Sequence, residues 1–332
     1  MDTLIPQDLL AALRGAQRVA IAGHVTPDAD CVGAIAALWL ALPELGLTPH
    51  AALPPPTVAR KLAFLVDAAG LTPATPADVA GCDLLVAVDT AKESRLNLDG
   101  GLETVRGLPL LNIDHHATNT QFGRWNWVDG RRSSSSEMVY EVLRALECRI
   151  TPTIATLLYA GIHSDTQGFS LGNTTPRSLQ VGYELAAAGA RVHEIGERLE
   201  RSHSPSEFAL LRVVYANTRV SADGRLAWST IGHDELTAAG CGANDIDNQV
   251  EIPRAIEGIR IALLLSEGTP GKIRVNFRGE PGTDVLALAR EFGGGGHHAS
   301  AGAIINGQLA EVTERVVAAA GAFLAQHPTE KQ

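Results

Sequence analysis

Residues Leu110-Leu111-Asn112-Ile113-Asp114-His115-His116 constrain this chain more than any other stretch. A short apolar run of the kind found in a buried parallel strand stops abruptly at one carboxylate and two imidazoles. Such groups do not continue a dry core without partners. Carboxylate oxygens and neutral imidazole nitrogens together suit divalent manganese, iron, cobalt or zinc, so the other ligands of a metal site are expected elsewhere in the chain.

The pattern recurs. Arg18-Val19-Ala20-Ile21-Ala22-Gly23 is a second compact strand, followed at once by His24-Val25-Thr26-Pro27-Asp28-Ala29-Asp30. Pro27 and the acidic residues stop that strand, and the segment from Gly33 to Leu40 has the composition of a well-packed helix beside Asp30. Residues Asp83 to Val88 form a third strand, ending at Asp89-Thr90. Helices over Ser136 to Glu147 and Thr153 to Ile162 follow, the second running into His163-Ser164-Asp165. Strands alternating with helices predict an α/β fold with a doubly wound, mainly parallel sheet, and ligands of such sheets bind beyond the carboxyl ends of the strands. A structural histidine or a capping aspartate explains any one cluster. Four clusters at one sheet edge favour a site.

The 332 residues suffice for two domains. The boundaries expected are 1–200 for the metal-binding domain, 201–215 for a polar linker around Arg201 to Glu207, and 216–328 for a smaller α/β domain across a cleft. In that smaller domain, strands are expected at Leu226 to Ile231, Ile259 to Leu265 and Lys272 to Arg278, with helices at Asp284 to Glu291 and Leu309 to Gln326. A helix is also expected over Tyr183 to Glu200.

The formal net charge of −10 argues against a nonspecific binder of long nucleic acid but allows a small phosphorylated substrate. No run approaches the roughly 20 apolar residues that cross a bilayer, and Met1 to Pro6 lacks a signal-peptide pattern, so a cytoplasmic protein without membrane contact is expected. Cys31, Cys82, Cys148 and Cys241 lack paired metal-binding spacing and read as buried thiols in a reducing compartment.

A two-metal hydrolase requires a bridging carboxylate, terminal ligands for each ion, and space for water, with the ions roughly 3.5–4 Å apart. His24, Asp28, Asp30, Asp89, His115 and Asp165 supply the ligand types, leaving His116 for substrate.

In this order, His24-x-x-x-Asp28-x-Asp30, Asp89, Asp114-His115-His116 and Asp165 resemble the motifs of the DHH superfamily of phosphoesterases. The resemblance implies two manganese ions, with cobalt or magnesium as alternatives. His24, Asp28 and Asp89 would hold one, and Asp30, Asp89, His115 and Asp165 the other. It also implies that Asp114 orients a neighbour and that His116 contacts the scissile phosphate.

The stretch from Gly293 to Gly302 resembles the substrate loop of the C-terminal domain associated with that superfamily. Consecutive glycines allow backbone amides close to phosphate. This makes Gly294, Gly295, Gly296, His297 and His298 substrate-binding candidates, together with Arg278, Arg254 and Ser135. For Arg254 and Arg278 a solvated surface position is the alternative, and for Ser133 to Ser136 a helix cap ending at Glu137. Trp125 and Trp127 could stack a base, but alternating aromatics more often form one packed face of a strand. His163 reads as structural.

The compact two-domain form is similar to the bacterial branch that degrades short oligoribonucleotides and removes the 3′-phosphate from adenosine 3′,5′-bisphosphate. The implied partners are short RNA or DNA oligonucleotides, small phosphorylated nucleotides, and a second copy in a homodimer. The rivals are a soluble phosphodiesterase for linear or cyclic dinucleotides and a non-catalytic nucleotide sensor.

Overall fold

The structure is a computed structural model in which residues 4–54, 58–246, 249–296 and 298–327 are described. His297, and Pro55 and Pro56 of the proline-rich loop, therefore lie outside the described residues. The chain forms two compact units, residues 1–202 and 203–332.

The first unit is built on five strands: β1 (Arg18–Ala22), β2 (Thr48–Ala52), β3 (Leu84–Val88), β4 (Leu110–Asp114) and β5 (Trp125–Val128). All pair in parallel, in the order β2-β1-β3-β4-β5. The apolar runs are buried on both faces, as continuous hydrophobic strands of a covered parallel sheet should be. Val19, Ile21, Leu84, Val86 and Val88 face one core, whereas Ala20, Ala22, Leu85 and Ala87 face another. The first core is closed by α1 (Gln7–Gly15), α2 (Ala29–Ala41), α3 (Ala63–Ala69), α5 (Ser135–Ala145) and α6 (Pro152–Thr166). The second is covered by the short α4 (Pro76–Ala80) and the 3-10 turn at Gly101–Val105.

Helix α2 is the central helix, packed against α3, α5 and α6. It begins where Asp28 Oδ1 accepts hydrogen bonds from the backbone N–H groups of Asp30 and Cys31, both at 3.0 Å. Its Ala-rich body is buried on nearly every side, and each fully buried Ile or Leu contributes roughly 1.5–3 kcal/mol.

The strand order reverses between β1 and β3, because β2 lies on one side of β1 while later strands add on the other. Open α/β sheets place ligands beyond the strand ends at such a switch point. His24 follows β1 and Asp89 follows β3.

Three sequence expectations change here. Tyr183 to Glu200 is not one helix: α7 (Pro176–Ala187) ends before that stretch does, and α8 (Val192–Gly196) runs into a π-helical turn, Glu197–Arg201. Most of the expected linker is helix α9 (Pro205–Asn217). Its polar start is a cap, with the Ser204 side chain accepting from Glu207 N–H, the Glu207 carboxylate accepting from Ser204 N–H, and Pro205 in the first turn. Finally, the stretch read as a substrate loop contributes Gly295–Gly296 and the start of Ser300–Asn306 to a sheet.

That sheet belongs to the second unit. Its strands are β6 (Arg219–Val220), β7 (Leu226–Ile231), β8 (Ile261–Thr269), β9 (Lys272–Gly279), β10 (Gly295–Gly296) and β11 (Ser300–Asn306). They run in the order β10-β11-β9-β8-β7-β6, antiparallel except for the β7–β8 pair. The unit also contains α10 (His233–Ala238), α11 (Glu251–Arg254), α12 (Val285–Glu291) and α13 (Leu309–Gln326). Helices α12 and α13 pack on the face lined by Leu263, Val275, Phe277 and Ala303. Among the described residues, no helix is long and apolar enough to cross a membrane.

Candidate metal centre

The ends of β1, β3 and β4 deliver their polar residues to one place. His24 Nε2 lies 3.3 Å from Asp89 Oδ2 and 3.8 Å from Asp28 Oδ2. His115 Nε2 lies 3.5 Å from Asp89 Oδ1 and 3.2 Å from Asp165 Oδ2. Asp165 arrives from the C-terminal turn of α6, and Asp30 from the first turn of α2. Donor atoms of Asp30, His115 and Asp165 lie within 4.8 Å of one another, as do those of Asp89, His115 and His116. All six ligand candidates read from the sequence therefore lie in one cluster, with Asp89 between its two halves.

The backbone holds Asp89 there. Its φ of 52° is left-handed, a conformation in which Asp and Asn are enriched among non-glycine residues. Its N–H donates to the Ile113 carbonyl at 3.0 Å, while the Ser135 hydroxyl donates to Oδ1 at 3.1 Å. Asp30 is fully buried and accepts from the N–H groups of Ser135 and Ser136 at 2.6 and 2.8 Å, the exposed donors of the α5 N-terminus. Space for that carboxylate comes from Gly161 on α6: a Cβ there would stand 2.6 Å from Asp30 Oδ1 and 2.1 Å from the Ser136 hydroxyl.

His24 presents one ring nitrogen to the backbone and the other to the carboxylates. Its Nδ1 lies 2.8 Å from the Val25 carbonyl, which can only accept, so Nδ1 carries a proton and Nε2 faces the carboxylates. His116 is held differently: Nδ1 lies 2.7 Å from Asp114 Oδ1 and 3.6 Å from Asp89 Oδ1, in a side chain 31% exposed. Asp114 is itself buried and accepts from Asn119 Nδ2 at 2.6 Å.

Burial and the neighbouring Asp89 push Asp30 up to about 7, and burial together with Asp30 pushes Asp165 well above the carboxylate range. Burial opposes the charged forms of His24 and His115, but their aspartate partners outweigh it, taking His24 up to about 11 and raising His115 well above its usual value. Asp89 is also disfavoured by burial, yet hydrogen bonds from His115 and His24 hold it well below the usual range. Among the described residues, the ion-pair partners of these carboxylates are histidines, not lysine or arginine. Mutually repelling carboxylates mixed with imidazoles, several of them buried, fit divalent cations.

Other candidates are placed as follows. Arg278 Nε lies 3.3 Å from Glu251 Oε1, and Arg254 NH1 3.0 Å from Glu251 Oε2, with Arg254 Nε also 2.9 Å from Glu280. Gly295 and Gly296 pair with Gly302 and Ala301, and Gly294 N–H donates to the Ala289 carbonyl at 2.9 Å. His298 is exposed, with Nδ1 2.9 Å from Asp284 Oδ2. Trp127 is buried in the core. His163 packs against Tyr159, and burial lowers its pKa.

Sequence reading missed Asn119, Gly161 and the role of Arg132. Arg132 is buried and donates to Glu137 at 3.1 Å and to Glu141 at 2.7 Å. Glu137 in turn accepts from Ser133 N–H and its hydroxyl, pinning the serine turn beneath Asp30.

The DHH family, N-terminal domain, matches residues 18–162, and the DHHA1 domain matches residues 229–326. The bifunctional oligoribonuclease and PAP phosphatase NrnA of Thermus thermophilus is 32% identical over 318 residues, covering 94% of this chain and 91% of that protein. The chain belongs to the DHH family. The protein of the same name from Bacillus subtilis is 32% identical over 225 residues, covering 67% of this DHH-family chain and 70% of the relative. The fold is shared with an exopolyphosphatase-related protein from Bacteroides fragilis, at a TM-score of 0.87 and 21% identity over 98% of each chain.

Proposed function

We propose that this DHH-family phosphoesterase degrades short oligoribonucleotides to mononucleotides and removes the 3′-phosphate from adenosine 3′,5′-bisphosphate. The observation that carries this reading is the cluster around Asp89, where carboxylates and imidazoles suited to divalent cations lie together and His116 is held by Asp114 beside them. The similarity to proteins named oligoribonuclease and PAP phosphatase supports the substrate class.

In this reading His24, Asp28 and Asp89 hold one manganese ion, and Asp30, Asp89, His115 and Asp165 the other. Cobalt and magnesium suit the same donors. When bound, such ions supply Lewis-acid stabilisation of phosphoryl charge and activation of water. The chain's own residues do the rest. Asp114 accepts from His116 Nδ1 and favours the doubly protonated ring, whose Nε2–H can donate a hydrogen bond or its proton to an oxygen of the scissile phosphate, leaving the ring neutral with its proton on Nδ1. Ser135 and Ser136 hold Asp30 at the cluster through their N–H groups. In the second unit, Arg278, Arg254 and the segment 294–298 are the proposed phosphate-binding groups.

The test is a substrate series in manganese: 5′-phosphorylated RNA from two nucleotides upward, pApA, pGpG, a cyclic dinucleotide, and adenosine 3′,5′-bisphosphate. Mononucleotides from several short RNAs, with phosphate from the bisphosphate, are expected. Turnover confined to one dinucleotide would favour the dinucleotide phosphodiesterase. Nucleotide binding without metal-stimulated release would favour a sensor.

A further inference from the structure

Cys31 does not behave as an ordinary core thiol. It is fully buried in the first turn of α2, and its sulfur belongs to the metal cluster: donor atoms of His24, Cys31 and Asp89 all lie within 4.8 Å of one another. Two donors sharing one ion, with bonds of about 2.1 Å to nitrogen and about 2.3 Å to sulfur, stand at most about 4.4 Å apart. Small side-chain adjustments bring the three onto a single cation.

The backbone makes a place for the sulfur. A Cβ on Gly23, at the end of β1, would lie 2.0 Å from Cys31 Sγ, so any other residue there would expel it. Cys82 and Cys148, also buried, belong to none of the clusters of candidate ligands among the described residues.

We infer that Cys31 is a sulfur ligand to the cation held by His24 and Asp89, engaged by soft or borderline divalent ions such as cobalt, zinc and cadmium and passed over by manganese and magnesium. Carboxylate and imidazole accept all of these ions, whereas a thiolate discriminates among them. On engagement the S–H bond breaks, a sulfur–metal bond forms, and the proton leaves to solvent; no oxidant or reductant takes part. This inference rests on the metal-centre reading above.

Cobalt titration of the full chain separates the two. Visible d–d bands report cobalt in the centre, and a near-ultraviolet sulfur-to-cobalt charge-transfer band reports the thiolate. Both are expected in the unaltered protein. Cys31→Ser should keep the d–d bands and lose the charge-transfer band, while Cys148→Ser keeps both. Preference for cadmium over manganese should fall at least about tenfold in Cys31→Ser, the lower end of what loss of a supporting group costs a metal site. Visible bands without charge transfer in the unaltered protein would overturn the role of Cys31 and leave the centre standing. A charge-transfer band persisting in Cys31→Ser would also overturn it. Absence of both bands would overturn the centre itself. The unaltered protein's spectrum decides the matter even where the variant does not fold.

Discussion

His116 Nδ1 lies 2.7 Å from Asp114 Oδ1, and the second oxygen of that buried carboxylate accepts from Asn119 at 2.6 Å. The arrangement fixes both the ring and its tautomer, because a carboxylate accepts only from a protonated Nδ1. His116→Ala should therefore lower kcat/KM on a dinucleotide by roughly 10²–10⁴-fold, the usual range for a positioned acid or base, with bound metal unchanged by mass spectrometry. Asp114→Asn should cost less, and nothing further in the His116→Ala background. An equal Asp114→Asn loss in both backgrounds would mean that Asp114 acts elsewhere.

Asp89 meets His24 on one side and His115 on the other. Asn tolerates the left-handed φ of 52°, so Asp89→Asn removes charge while sparing the backbone. Calorimetric titration with manganese should show affinity weakened by roughly 100-fold or more and a stoichiometry below that of the unaltered chain. Two sites of undiminished affinity would remove Asp89 from the bridging position.

The gathering of the candidate ligands was legible because they sit where apolar runs stop, and a parallel sheet brings the stops of its strands to one edge. Strand β2 was not legible: Thr48-Pro49-His50 looks like a loop, and it serves as a strand because it pairs with β1 alone, at the sheet edge where proline is tolerated. Asn119 and Gly161 act through partners brought near only by folding, so local spacing carries no trace of them. The start of α9 was different. Ser204-Pro205-Ser206-Glu207 is a complete capping signal, and its polarity concealed it.

Arg132 and Glu137 are both buried, and together they anchor the turn whose N–H groups hold Asp30. Removing one member of a buried ion pair costs about 3–5 kcal/mol, because the other charge is left uncompensated. Arg132→Met should destabilise the protein by that amount in urea unfolding. Glu137→Gln should cost less, since the amide still bonds to the Ser133 hydroxyl and leaves Arg132 paired with Glu141. An Arg132→Met variant as stable as the original would show that the turn does not depend on the pair.

The cluster also dictates how the metal-free protein responds to pH. Asp30 is raised to about 7 and Asp165 well above the usual carboxylate range, while His24 is raised to about 11 and His115 well above the usual imidazole range. Each group thus binds its proton more tightly folded than unfolded, and the stability it contributes is complete below its unfolded pKa and lost as pH rises through its folded one. Asp89 has the opposite sign, but its depressed pKa matters only in acid, below 3.8. Between about pH 6 and about pH 8 the raised groups act in one direction, so the melting temperature of chelator-treated protein should fall across that window. Manganese binds the deprotonated ligands and displaces those protons, so the stabilisation it provides should grow over the same range. Thermal unfolding at both ends of the window, with chelator and with manganese, measures the two slopes. A chelated protein that became more stable toward about pH 8 would contradict the raised pKa values of these carboxylates and imidazoles.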